Sequence, residues 1–163
     1  MKAAQHLLWL ITLGFALLSS ARAANATSQL VRVAAAQAAR RVIDYRLTNF
    51  PAVFAAVEKN LSALEAVVAK AGGQKCDVLA LPEDTPGLLN WIGMNEALAR
   101  DVLPTVVKRM IEQLGQAAAR HRMYLVVCSD HLESDGAIYN TSFFLGRDGM
   151  ERDRLIDPKT GGP

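Results

Sequence analysis

The stretch Cys76-Asp-Val-Leu-Ala-Leu-Pro-Glu-Asp-Thr-Pro-Gly-Leu-Leu-Asn-Trp91 decides how this chain folds. Asp77 to Leu81 is an apolar run of strand length, entered from Gly72-Gly73 and stopped by Pro82, and it reads as a buried strand. Glu83 follows at once, on the turn that leaves the carboxyl end of that strand. Open α/β sheets keep their ligand crevice at the carboxyl ends of strands, and a carboxylate held there by a proline turn can serve as a general base. Strand and acidic turn by themselves fit a solvated loop at least as well. The flanking segments decide between the two.

Upstream, Leu30 to Gln37 is apolar and reads as a first strand. Asn49 or Thr48 caps a helix that opens at Phe50-Pro51, proline suiting the first helical turn. Val53, Val57, Leu61, Leu64, Val68 and Ala71 then recur every three or four residues, a stripe made to face a sheet, and Gly72 ends the helix. Downstream, Trp91 to Asp101 reads as loop or a short helix, and Pro104 as the start of a second long helix. Arg120, His121 and Arg122 crowd its last turn, where cations favour the negative helix end, so His121 reads as a helix-end residue rather than a ligand. Tyr124 to Ser129 is a third strand, and Ala137 to Leu145 a fourth after a turn at Ser134-Asp135-Gly136. Arg147-Asp148-Gly149 is a hairpin turn that returns Met150 to Ile156 as a fifth, antiparallel strand. Strands alternating with helices, closed by a hairpin, give the α/β class.

With 163 residues, 51% hydrophobic and 21% charged, the chain suits one globular domain. Its net charge of +2 comes without clustered Lys and Arg and with few aromatics, which argues against nucleic acid as a partner. Met1-Lys2, the apolar run Leu7 to Leu18 and the small residues Ser19 to Ala23 read as a signal peptide over residues 1–23. Residues 24–163 would then be the mature domain, periplasmic or secreted, with no membrane attachment after cleavage. A retained anchor is the alternative, against which the apolar core is short.

Cys76 and Cys128 are the only cysteines. On neighbouring parallel strands they would stand roughly 13 to 17 Å apart, beyond the ceiling of about 7 Å between bridged Cα atoms. Two buried thiols are expected, despite export. A metal at Cys128, Asp130, His131 and Glu133 is disfavoured because strand alternation sends Cys128 and Asp130 to one face and His131 to the other. Gly72-Gly73 lacks the glycine spacing of a dinucleotide site, and Ala36-Gln37-Ala38 lacks the acidic residues of a phosphoacceptor domain.

Taken together, these segments resemble the first half of the carbon–nitrogen hydrolase (nitrilase) superfamily. The matching pieces are Val31 to Gln37, the helix ending in Ala71-Gly72, Cys76 to Glu83, the Tyr124 strand, Tyr139-Asn-Thr-Ser142 and Arg147-Asp-Gly149. The resemblance implies an αββα sandwich, here incomplete and lacking the C-terminal part of the domain. Family members often pair through helices into larger αββααββα homo-oligomers. It also implies hydrolysis of non-peptide C–N bonds in small amides, nitriles or carbamoyl compounds, with no cofactor and no metal. In such enzymes a thiolate attacks the carbon, a Glu moves the proton and a Lys stabilises the developing charge.

Glu83 falls on the general-base position, expected to face a crevice beside the strand that holds Asn140. Lys159 is the candidate for the oxyanion lysine, about two residues beyond the family spacing and without the family's Tyr-Arg-Lys-like context, which favours a solvated loop lysine instead. The nucleophile is absent, because the family cysteine follows a later strand and no cysteine lies beyond Cys128. The expectation is therefore an exported hydrolase cut short before its nucleophile, inactive as this chain alone. The alternative is a non-catalytic binding or assembly module that keeps the front half of the fold.

Overall fold

The computed structural model describes residues 30–157 apart from residue 40. The segment read as a signal peptide, 1–23, and Lys159 both lie outside the described residues. In chain order the elements are β1 (Val33–Ala35), α1 (Phe50–Gly73), β2 (Val78–Ala80), α2 (Leu89–Met94), α3 (Glu96–His121), β3 (Tyr124–Leu132), β4 (Ile138–Leu145) and β5 (Glu151–Ile156). The strands form one sheet in the order β1-β2-β3-β4-β5. β1, β2 and β3 run parallel, with Val33, Val78 and Tyr124 in register. β4 and β5 each turn back antiparallel.

Alternation along the strands gives the sheet two unlike faces. Leu79, Leu125, Val127, Phe143 and Leu145 are buried on the helix-covered face. They share one apolar core with the stripes of α1 (Val53, Val57, Leu61, Leu64, Val68) and α3 (Val106, Met110, Leu114, Ala118). Each of these side chains larger than alanine contributes about 1.5–3 kcal/mol by leaving water. Polar contacts fix the two long helices against each other at the rim: Arg109 Nε donates to Glu58 Oε1 at 2.6 Å, and Gln113 and Arg120 both donate to Glu65. The opposite face carries Val78, Ala80, Tyr124, Val126 and Phe144, all half-buried. There Tyr124 and Phe144 stack at 5.3 Å. The described residues thus supply one helical layer on one sheet.

α1 begins and ends where its sequence asks it to. Asn49 has extended backbone, and its Oδ1 accepts from Ala52 N–H at 2.9 Å, with Pro51 in the first turn. Asn49→Ala is expected to lower unfolding free energy by about 1 kcal/mol, read from the midpoint of urea denaturation.

The second long helix differs from the sequence reading. It starts at Glu96, and Pro104 sits inside it. The apolar stripe explains this, since Ala99, Val102 and Leu103, all before or beside the proline, are buried in the core. An interior proline forfeits one backbone hydrogen bond and costs about 3 kcal/mol; burial along the roughly two further turns before it offsets that. The preceding stretch is the short helix α2, anchored by Trp91, which is fully buried and donates its indole N–H to the Leu47 carbonyl at 2.7 Å. β3 runs three residues past Ser129, because its antiparallel pairing with β4 continues to Leu132 opposite Ile138.

Neither cysteine is in a disulfide, and both are buried. The β2–β3 register sets Cys76 level with Arg122, six residues short of Cys128, which is about 20 Å along a strand.

Candidate active site

The turn after β2 is fastened on three sides. Leu81 N–H donates to the Val126 carbonyl at 2.9 Å, continuing the ladder past the strand end. Thr85 and Cys128 then exchange two bonds: Thr85 N–H to the Cys128 carbonyl at 3.0 Å, and Cys128 N–H to Thr85 Oγ1 at 3.1 Å. The Asp84 carboxylate accepts the N–H groups of Gly87, Leu88 and Leu89, and so caps the start of α2. From below, Asn60 of α1 donates its side-chain amide to the carbonyls of Arg41 and Pro86. Pro82, Asp84 and Thr85 are consumed by the turn itself. Glu83 alone is exposed between Leu81 and Leu88, and its side chain leaves the turn.

That side chain reaches across β3. Glu83 Oε1 accepts from Asn140 Nδ2 of β4 at 2.8 Å, and Asn140 Oδ1 in turn accepts from the Cys128 thiol at 2.9 Å. The three residues border a cavity of about 460 Å³ on the sheet face away from the helices, which Ser142 and Asp157 also line. Glu83 borders a second cavity of about 290 Å³ as well, shared with Arg41 and Asp84. β2 is second in the strand order, flanked on both sides, so the carboxylate stands at the carboxyl end of an interior strand.

A family model described as carbon-nitrogen hydrolase matches residues 32–157. The chain belongs to the carbon-nitrogen hydrolase family. Solved structures with this fold include the C. elegans NitFhit protein, 24% identical with a TM-score of 0.53, the match covering 61% of this chain and 24% of that one. An amidase from Nesterenkonia sp. is 18% identical with a TM-score of 0.60, over 82% of this chain and 44% of that one. A mutant of that amidase, showing covalent addition of the acetamide moiety of fluoroacetamide at the active site cysteine, is 17% identical with a TM-score of 0.60, over 82% and 45%. At these identities the likeness shows the fold. The carbon-nitrogen hydrolase chain spans less than half the length of these solved relatives. Among curated proteins none matches it.

Other side chains of this carbon-nitrogen hydrolase chain fall into place around Glu83. Cys128 and Asp130 share the outer face with Asn140 and Ser142. His131 points to the helix side, edge-on to Phe143 at 5.6 Å, with Nδ1 against Glu133 at 2.9 Å. The metal quartet is therefore divided between faces, and among the described residues no cluster of metal-ligating side chains forms. His121 ends α3 packed against Gly72 of α1, in the helix-end role. Cys76 enters β2 at the end opposite Glu83. The sequence reading missed the tie between the Cys128 thiol and Asn140; the hairpin at Ser134 to Gly136 sets it, because that turn fixes the register bringing Cys128 opposite Ser142.

Electrostatics follow from this crowding of acids. Burial raises the Cys128 thiol pKa; the Ser142 hydroxyl opposes it, and the charges of Glu83, Asp130 and Asp84 add to it. Asp130 is pushed up to about 6, first by burial and then by Asp84 and Glu83. A carboxyl whose pKa is higher folded than unfolded gives stability that is complete below its ordinary range and is lost as pH rises through the folded value. Asp130→Asn is accordingly expected to flatten the fall in melting temperature between about pH 4 and 6. Near neutrality it should raise the melting temperature by a few degrees, on the order of 2–4 °C. Thermal unfolding of both proteins across pH reads this; parallel profiles would contradict it.

Proposed function

We propose that this chain is the front half of an exported nitrilase-superfamily amidase, a hydrolase of non-peptide C–N bonds in small amides, with Glu83 as general base. The observation that carries the reading is the Glu83 carboxylate, held by Asn140 at the mouth of the outer-face cavity. In the proposed reaction Glu83 takes the proton of a cysteine thiol as the thiolate adds to the amide carbon. A lysine, for which Lys159 is the candidate, stabilises the oxyanion. Glu83 then gives its proton to the departing amine, and water, deprotonated by Glu83, releases the acid from the thioester.

In this reading the nucleophile is supplied by sequence beyond Pro163, since the 163 residues hold only Cys76 and Cys128. Cys76 stands at the far end of β2, and the Cys128 thiol is spent on Asn140. Coverage of only 44% of the amidase's length accords with a missing back half. Residues 1–23 are proposed as the signal peptide that takes the protein out of the cytoplasm.

The test is ammonia release from acetamide and butyramide by the full translated product, joined to a reading of the coding sequence past the codon for Pro163. Hydrolysis, with a cysteine following a further apolar strand, is expected. A stop codon there and no hydrolysis would replace the enzyme by a binding or assembly module.

A further inference from the structure

We infer that Cys128 is a positioning residue for Glu83, acting through the side-chain amide of Asn140. The inference rests on the reading of Glu83 as general base and adds what holds it. A carboxylate only accepts hydrogen bonds, whereas an asparagine amide donates at one end and accepts at the other. Asn140 helps Glu83 only with Nδ2 turned toward it, and half a turn of the amide would set oxygen against oxygen. A donor facing Oδ1 selects the useful orientation. The Cys128 thiol is that donor, 2.9 Å from Oδ1, while Nδ2 lies 2.8 Å from Glu83 Oε1.

The frame around the thiol suits the role. Cys128 N–H and C=O are both bonded to Thr85, two residues after Glu83, so the strand that carries the thiol is tied directly to the turn that carries the carboxylate. Cys128 is only 7% exposed. Burial and the surrounding carboxylates keep its proton in place. A thiol so held is a poor nucleophile but a lasting donor. Serine would keep the donor, and alanine would remove it with the least change of shape.

The experiment compares wild type, Cys128→Ser and Cys128→Ala in the full translated chain. Two quantities are followed: steady-state hydrolysis of butyramide, and the Asn140 side-chain NH₂ cross-peaks in ¹⁵N spectra. Cys128→Ala should lower kcat about tenfold to a hundredfold, as for a misplaced catalytic group. KM should change less than about twofold, because the lost contact touches the base rather than the substrate. The Asn140 signals should move in that variant. Cys128→Ser should restore both kcat and the signals. Unchanged kcat in Cys128→Ala, or equal impairment in the serine variant, overturns the inference.

Should the alanine variant not fold, wild type still decides. The charged groups around the thiol are Glu83 and Asp84 from the turn and Asp130 from β3, with Asp157 beyond β5 lining the same cavity. Raising pH through the Cys128 titration, followed by its ¹³Cβ shift, should therefore move the Asn140 signals in the same range. Signals that stay still overturn the inference. If no amide is hydrolysed the proposed function fails, and the Asn140 titration still reads the relay by itself.

Discussion

Glu83→Gln is expected to lower amide hydrolysis by about 10²–10⁴-fold, the contribution of a positioned general base, with the fold intact. Glutamine keeps the length of the side chain, and its carbonyl oxygen can still accept from Asn140 Nδ2, so the turn has no cause to move. What disappears is the capacity to take and return a proton, and kcat should carry nearly all of the loss. The neighbouring acid gives the contrast. Asp84 accepts three backbone N–H groups at the start of α2, and Asp84→Asn should weaken that cap and lower the melting temperature with a much smaller effect on the chemistry. The pair is checked by kcat, KM and thermal unfolding of each variant. A Glu83→Gln protein that hydrolyses amides at the wild-type rate would remove Glu83 from the reaction.

The two acids also show what a sequence can say about such a site. Pro82-Glu83 closing an apolar run is local information, and the position of Glu83 beyond β2 was legible from it. α1 was legible for the same reason, since its cap, its proline and its stripe lie within one stretch. The start of α3 was not, because Pro104 has two meanings, helix opener and tolerated interior residue. Only the burial of Ala99 and Leu103 against other elements chooses between them. Partners separated along the chain were harder still. Asn140 meets Glu83 across 57 residues and meets Cys128 through the β3–β4 register. Asn60 reads as one more polar residue on an amphipathic helix, yet it braces Arg41 and Pro86 under the turn that carries Glu83. Such contacts depend on how elements stack, which no single segment encodes.

Gly87→Ala should be the most damaging small change to that turn, and a second glycine isolates why. Gly87 and Gly136 have nearly the same backbone, with φ of 87° and 81°. In that region an L side chain costs about 1–2 kcal/mol at either position. Their surroundings differ. Nothing lies within 4 Å of a Cβ built on Gly136, whereas one on Gly87 would stand 2.0 Å from the Arg41 carbonyl oxygen and 2.6 Å from Asn60 Nδ2. Neither neighbour can step aside easily. Asn60 donates to that same Arg41 oxygen, and Ile43 N–H is bonded to the Gly87 carbonyl at 3.0 Å. Relief must come from displacing the 82–88 turn, and overpacking of this kind adds about 1–3 kcal/mol. Gly136→Ala is thus expected to cost about 1–2 kcal/mol with hydrolysis unchanged. Gly87→Ala should cost about 2–5 kcal/mol, a large part of the roughly 5–15 kcal/mol that holds a domain together. It should also depress kcat, because Glu83 rides on the displaced turn. Urea unfolding and steady-state kinetics of the two variants, side by side, measure both effects. Equal losses would mean that backbone strain alone acts at Gly87 and that the turn has room to give.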